Sequence, residues 1–321
     1  MPQRAVRLER SRAWTDATAY WHMSAFHDFV HRLCLRVLHG RDSWHRRQFR
    51  PSVHVVESSE RLWFEEAGQV VEAYPLATLQ DRFAGRCNLL LSGPSVRRIE
   101  DPVRLAACDW IGVNGSPALF DGDIPGMRVY HVNDTGFLRG NLEKFLHFAA
   151  CAEFTVIDYR TMYELMRLAG DRMPATKLVV YDAWNLPLRN PLGKIQQLAR
   201  PPSHRNVYWS PDLRLGLAPG GTVAYTAAQL AWHGGYRSLY IFGLDLTNSG
   251  RFYHEDRPQP QMLDKAFSNV IVPAFELLSR QTQGELRIFN CNPQSRLPAS
   301  IIEQMEPELA LSETTTSLES G

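Results

Sequence analysis

No two cysteines in this sequence stand at Cys-x-x-Cys spacing, and the 321 residues include only five of them. Cys34, Cys87, Cys108, Cys151 and Cys291 are scattered and odd in number. That pattern excludes a disulfide framework and a zinc ribbon, and it points to a reducing, cytoplasmic compartment. No apolar run approaches the roughly 18 residues that a membrane-spanning helix needs. Met1 is followed by an arginine-rich polar stretch without a clean apolar core, so no signal peptide is expected. Nucleotide fingerprints are missing too. Gly93, in the stretch "LLLSGPSV", stands too much alone for a dinucleotide motif, and no Lys-Ser/Thr pair follows it as in a Walker loop. Lysine is absent from residues 1–50, where ten arginines face only four acids. The formal charge of +1 for the whole chain hides this basic N-terminal segment.

What is present is a substantial core and an alternation. The hydrophobic content is 44%, enough for one large α/β domain or two small ones. Between Tyr20 and Leu38 the apolar residues Phe26, Phe29, Val30, Leu33, Cys34, Val37 and Leu38 recur at helical spacing, which predicts one amphipathic helix. Short alternating runs near residues 52–76 predict a small antiparallel hairpin appendage. From Cys87 onward the texture changes. "CNLLLS", "DWIGVN", "MRVYHVND", "EFTVID", "KLVVYD", "SLYIFGLDL" and "LRIFN" read as strands. Between them fall helical stretches near 140–151, 160–168, 192–200, 222–233 and 263–280, and a short crossover, "VRRIEDPVRLAA". Strands apolar on both faces and separated by helices predict a Rossmann-like, doubly wound, mostly parallel sheet. The division expected is a basic helix plus hairpin at 1–80, a nucleotide-sugar-binding domain at 81–306, and a disordered polar tail at 307–321.

In such sheets the ligand sits beyond the carboxyl ends of the strands. The turns there are Ser92-Gly93-Pro94-Ser95, Asn114-Gly115-Ser116, Asn133-Asp134-Thr135 and Gly243-Leu244-Asp245. Gly220-Gly221-Thr222 opens an alanine-rich helix, whose free N–H groups form an anion site. Taken singly, Gly-Pro-Ser and Asn-Gly read as ordinary turns and Gly-Gly-Thr as an N-cap. Together at one sheet edge, their neutral amides and hydroxyls suit a nucleoside and its sugar, and the helix start suits a single phosphate.

The run "LLLSGPS…WIGVNGS…VYHVND…GGTVAYTAAQLAWHGGYRSLYIFGLDLTNSGRFYHED" resembles the lipopolysaccharide core biosynthesis transferases that add Kdo (3-deoxy-manno-octulosonic acid). More distantly it is similar to the bacterial sialyltransferases of glycosyltransferase family 42, a variant of the GT-A architecture. The likeness extends over about Asn88 to Leu297, and the tract from Thr222 to Tyr253 is its most specific part. It implies an inverting transfer of Kdo from CMP-Kdo to the lipid A–inner core acceptor. Gly93, Pro94 and Ser95 then match the loop against the CMP phosphate and ribose. Asn114 and Asn133 match asparagines that contact nucleotide and sugar, and Thr222 matches a threonine near the donor. Tyr253 matches a tyrosine supporting the departing phosphate, while a second such tyrosine falls on Thr247 here.

For the general base, His254 is the first candidate because imidazole titrates near neutrality, and Asp245 is its rival. Gly221 and Gly243 complete the expected donor site. A CMP-linked ulosonic acid carries its own carboxylate and leaves as a phosphate monoester, so no metal or other cofactor is expected. "DGD", Asp121-Gly122-Asp123, has the D-x-D form of a cation site but is more simply read as a turn. The basic N-terminal helix either packs on the sheet domain or rests peripherally on the anionic cytoplasmic face of the inner membrane. Nucleic acid is not an expected partner, because no recognised motif accompanies the arginines. Two other functions fit the same residues: a transferase for another CMP-nonulosonic acid, or a non-catalytic nucleotide-binding or scaffold protein.

Overall fold

A computed structural model of the chain describes residues 53–181, 207–247, 250–253 and 263–319. The predicted helices at Tyr20–Leu38 and at 192–200 lie outside these residues, and so does His254. Among the described residues, eleven strands form one sheet in the order β1-β2-β3-β8-β7-β6-β5-β4-β9-β10-β11. The predicted strands appear as β4 (Arg86–Leu90), β5 (Asp109–Val113), β6 (Met127–Val132), β7 (Ala152–Asp158), β8 (Lys177–Tyr181), β9 (Ser238–Phe242) and β10 (Arg287–Asn290). All of these pair in parallel, as does the two-residue β11 (Glu303–Gln304). The mostly parallel α/β fold expected from the alternation is therefore what forms.

Helices cover both faces, and for this reason the central strands are apolar throughout. On one side, Leu90, Trp110, Tyr130 and Val132 pack with Phe145 and Phe148 of the helix Leu142–Ala150 and with Met162 and Leu165 of the helix Tyr159–Ala169. On the other, Leu89, Ile111, Val129 and Ile241 meet the helices Val223–Gly234 and Val272–Gln281. Each fully buried Leu or Phe contributes about 1.5–3 kcal/mol. The alanines of the helix Val223–Gly234, Ala224, Ala227, Ala228 and Ala231, are fully buried in the same cluster as Phe275 and the strand residues of this face. It starts at Thr222, whose hydroxyl accepts from the Ala224 N–H at 3.3 Å, and stops at Gly235, in a left-handed conformation with φ +100°.

Three expectations need correcting. The hairpin is a three-stranded antiparallel meander, β1 (His54–Glu57), β2 (Leu62–Glu66) and β3 (Gln69–Pro75). It is no separate appendage, because β3 pairs in parallel with β8 through Tyr74–Val179 and Pro75–Val180. Phe64 secures it by packing on Tyr159 and Tyr163. The polar tail is not disordered from its start: Pro307–Glu319 is a helix. Ala310 and Leu311 are buried in the core, and Glu308 pairs with Arg104 at 2.6 Å. Two buried apolar residues, with Arg86 donating to the Ala310 carbonyl at 2.8 Å and the Tyr240 hydroxyl donating to Glu313 at 2.8 Å, dock a segment whose overall composition reads as unstructured. Finally, the long helix at 263–280 carries a π-helical turn, Phe267–Ile271, between Leu263–Ala266 and Val272–Gln281. Among the described residues, no helix is long and apolar enough to cross a membrane.

Candidate active site

The chain leaves β4 towards β5 on one side, whereas β9, paired to the other side of β4, continues to β10. Strand order therefore reverses between β4 and β9, and connections diverging from their carboxyl ends leave a crevice. A cleft of about 410 Å³ opens there. Gly93, Pro94, Asn114, Asn133, Gly221, Thr222, Gly243 and Asp245 all line it. Thr247 lines it as well, along with Asp134 and Arg251.

The floor is made by close approach of the two strand ends. The Leu91 N–H donates to the Phe242 carbonyl at 2.9 Å, and the Gly93 N–H donates to the Gly243 carbonyl at 3.2 Å. A β-carbon on Gly93 would lie 1.9 Å from Asp245 Oδ2 and 2.3 Å from the Gly243 oxygen. Glycine is thus required at position 93 for space. Gly243 also needs its freedom of conformation, with φ at +80°.

Ser95 and Asp245 serve this floor. The Ser95 hydroxyl donates to Asp245 Oδ2 at 2.7 Å, and its N–H approaches Oδ1 at 3.3 Å. Asn292 Nδ2 donates to Asp245 Oδ1 at 3.1 Å, and Arg98 Nη2 donates to the side-chain oxygen Oδ1 of Asn292 at 2.5 Å. The Asp245 carboxylate therefore clamps three loops together. Ser95 is buried beneath the cleft and is not among its lining residues. Asn292 was missed in the sequence because nothing marks it apart from an ordinary post-strand turn.

The segment after β9 folds back over this floor. The Phe252 N–H donates to the Ser92 carbonyl at 3.1 Å, and Arg97 donates to the Phe252 carbonyl. Tyr253 lies on Gly115, where a β-carbon would come within 2.4 Å of its ring. The Tyr253 hydroxyl accepts from Arg251 Nη1 at 3.3 Å, and Tyr253 itself is not among the lining residues. Asp121 and Asp123 sit in an exposed turn outside the cleft, with φ of +47° at Asp121 and +100° at Gly122.

Beneath Asn133 runs a buried polar chain that sequence reading did not find. Asn133 Nδ2 reaches the Thr226 hydroxyl at 3.4 Å, and that hydroxyl lies 2.9 Å from His131 Nε2. His131 Nδ1 is 3.1 Å from the Val156 carbonyl, which can only accept, so Nδ1 carries the proton. The Thr226 hydroxyl, 2.9 Å from both Nε2 and the Val223 carbonyl, has one proton to share between these two acceptors. Full burial pushes the His131 pKa down to about 4, so the ring is neutral near pH 7. Arg160 donates to the Asn133 carbonyl at 2.7 Å and pairs with the buried Asp158 at 3.6 Å. On the neighbouring strand, Asn114 adopts a left-handed φ of +47°, and Tyr130 donates to its carbonyl at 2.7 Å. Its side-chain oxygen is buried without a hydrogen-bond partner. Both asparagines line the cleft, with their main-chain carbonyls held by Tyr130 and Arg160.

No family model matches the chain. It is similar to two curated proteins, each named a probable 3-deoxy-manno-octulosonic acid transferase. The one from Salmonella typhimurium is 28% identical over 250 residues, covering 73% of this chain and 91% of the relative. The one from Escherichia coli K12 is 22% identical over 239 residues, covering 70% of this chain and 83% of the relative. These names agree with the resemblance read from the sequence. Among solved structures, the chain is similar to the MAf glycosyltransferase from Magnetospirillum magneticum AMB-1. That match has a TM-score of 0.43 and 15% identity, over 75% of this chain and 37% of the other. It is also similar to the sialyltransferase CstII from Campylobacter jejuni in complex with a substrate analogue, cytidine-5'-monophosphate. Here the TM-score is 0.41 and the identity 17%, over 70% of this chain and 86% of the other.

Proposed function

We propose that this chain is an inverting glycosyltransferase that moves Kdo from CMP-Kdo to the inner core of lipopolysaccharide. The observation that carries the reading is the convergence of Gly93, Asn114, Asn133, Gly221, Thr222 and Gly243 on one cleft at the sheet's switch point. Similarity to two probable Kdo transferases supports the choice of sugar. In this reading the glycine floor lets the nucleotide approach the backbone. The helix starting at Val223 turns its first N–H groups towards the phosphate. Asn114 and Asn133 supply amides that both donate and accept.

The acceptor hydroxyl attacks the anomeric carbon, a base removes its proton, and CMP departs as a phosphate monoester. Asp245 is occupied in holding the floor, its carboxylate accepting from Ser95 and Asn292. The base is therefore assigned to His254, next to Tyr253. Charge on the leaving group is met by protein donors, and no metal is required. Acceptor contact with the membrane surface is assigned to the arginine-rich residues 1–50.

The deciding experiment assays CMP-Kdo against CMP-sialic acid on an inner-core acceptor, with and without EDTA. Turnover of CMP-Kdo that survives EDTA is expected. Preference for CMP-sialic acid would move the activity to another nonulosonic acid, and failure to bind CMP would remove the reading altogether. If Asp121→Ala abolishes turnover and Mn²⁺ stimulates the wild type, the D-x-D turn is a cation site after all. Asn133→Ala is expected to weaken CMP binding about 3- to 10-fold, the effect of one net hydrogen bond. Unchanged affinity in the folded fraction would make Asn133 a purely structural residue.

A further inference from the structure

The side-chain amide of Asn133 could turn either end to the cleft, since its oxygen and nitrogen have nearly the same shape and opposite hydrogen-bonding character. The buried groups beneath it decide which end that is. The Val156 carbonyl, 3.1 Å from His131 Nδ1, takes the one N–H of the neutral ring, so Nε2 is an acceptor. Nε2 faces the Thr226 hydroxyl at 2.9 Å, and the Val223 carbonyl faces the same hydroxyl at 2.9 Å. One proton thus already meets two acceptors.

An Asn133 oxygen turned towards Thr226 would be a third acceptor for that single proton. Thr226 is buried, and a buried acceptor left without a donor is costly. The nitrogen meets no such conflict. Nδ2 donates to the Thr226 oxygen at 3.4 Å, using a lone pair that the hydroxyl has to spare. Asn133 itself is half-buried and lines the cleft, and Arg160 holds its main-chain carbonyl at 2.7 Å. With the nitrogen turned inward, the side-chain oxygen is the atom available to a ligand.

Building on the function proposed above, we infer that His131 and Thr226 are positioning residues that lock the Asn133 amide with its oxygen towards the cleft, so that Asn133 accepts a hydrogen bond from the nucleotide. The group it meets must be a donor. CMP carries donors of two kinds, the ribose hydroxyls and the exocyclic amino group of cytosine. An amide fixed the other way round would meet the ring carbonyl or the phosphate oxygens instead. The buried relay therefore selects between opposite ligand chemistries without touching the ligand.

The test measures binding of CMP, 2′-deoxy-CMP, 3′-deoxy-CMP and UMP to the full chain and to Asn133→Ala, Thr226→Val and Thr226→Ser. If a ribose hydroxyl donates to Asn133, the wild type binds the matching deoxy analogue about 3- to 10-fold more weakly than CMP, the effect of one net hydrogen bond. If the amino group donates, UMP is the weak ligand by about that factor. Asn133→Ala erases the preference. Thr226→Val, close to threonine in shape but without the hydroxyl, frees the amide to turn and erases it too, while affinity for the disfavoured analogue holds or rises. Thr226→Ser keeps the hydroxyl and keeps the preference. A purely structural Thr226 would instead lower affinity for all the nucleotides alike in Thr226→Val, and that result would overturn the inference. So would a preference that persists in Thr226→Val or Asn133→Ala, or a wild type that binds every analogue equally; each leaves the nucleotide site standing. A wild type that binds none of them would overturn the proposed function itself. Thermal melting of each variant separates loss of binding from loss of fold, and Thr226→Ala puts the same question if Thr226→Val does not fold.

Discussion

Gly93→Ala is expected to abolish nucleotide binding and to destabilise the fold more than any other single methyl addition at this edge. The new β-carbon would lie 1.9 Å from Asp245 Oδ2, 2.3 Å from the Gly243 oxygen and 2.8 Å from Asp245 Cγ. A flexible side chain could swing away, but the Gly243 oxygen is backbone and accepts the Gly93 N–H. Relief therefore requires β4 and β9 to separate at their carboxyl ends. Asp245 would also lose Ser95, and with it the bridge through Asn292 to Arg98.

Overpacking of this kind costs about 1–3 kcal/mol, and breaking the clamp puts Gly93→Ala at the upper end. For a domain of this size that corresponds to a fall in Tm of about 6–12 °C. CMP affinity should drop beyond detection, because the floor itself moves. Gly126→Ala is the control: nothing lies within 4 Å of a β-carbon there, and its φ is not in the left-handed range. Its stability should stay within about 0.5 kcal/mol of wild type. A Gly93→Ala protein with wild-type Tm and CMP affinity would show that the close approach of the two strand ends is wrong.

The second large effect is acid destabilisation through His131. Burial holds its pKa in the folded chain at about 4, against 6.5 for an unperturbed imidazole. As pH falls through 6.5, the unfolded chain takes up a proton that the folded chain refuses, so stability declines. The loss accumulates between pH 6.5 and 4 and levels off below 4, once both states are protonated. Integrated over that window it amounts to about 3 kcal/mol. His233, also buried and depressed, adds in the same direction.

Urea unfolding at half-unit steps from pH 7 to pH 5 would measure it, above the range where most carboxylates titrate. His131→Asn keeps a donor for Val156 and an acceptor for Thr226, yet cannot ionise. The variant should be less stable than wild type at pH 7 but show a shallower decline towards pH 5. An identical slope in both proteins would assign the acid sensitivity to other groups. Because folded His131 stays neutral over pH 7 to 5.5, its link through Thr226 to Asn133 should add no pH dependence to ligand binding beyond the titration of the CMP phosphate itself, at about pH 6.

Much of the site could be read in advance because one physical rule does the gathering. In a parallel sheet every strand points the same way, so whatever follows each strand arrives at one edge. That is why Gly93, Asn114, Asn133 and Gly243, scattered over 150 positions of sequence, were foreseeable neighbours. Thr222 was legible for a local reason: a hydroxyl ahead of an alanine-rich run is a helix cap. The alternation of apolar runs with helical periods likewise determined the layered α/β class, since only a sheet covered on both faces buries such strands.

Tertiary structure alone decided which strands are neighbours, and so where the crevice opens. Nothing local in "SLYIFGLDL" says that it pairs with "CNLLLS" rather than with "KLVVYD"; that choice is made by long-range packing. The same holds for β3 joining β8 and for Ala310 and Leu311 docking the tail. It holds most of all for the polar groups. His131 reads as one residue of an apolar strand and Asn292 as part of a turn. Their roles are relations between side chains on separate segments: 2.9 Å from His131 to Thr226 and 3.1 Å from Asn292 to Asp245. Spacing along a chain encodes periodicity and local turns, whereas a hydrogen bond across the fold exists only once the backbone has brought its two ends together.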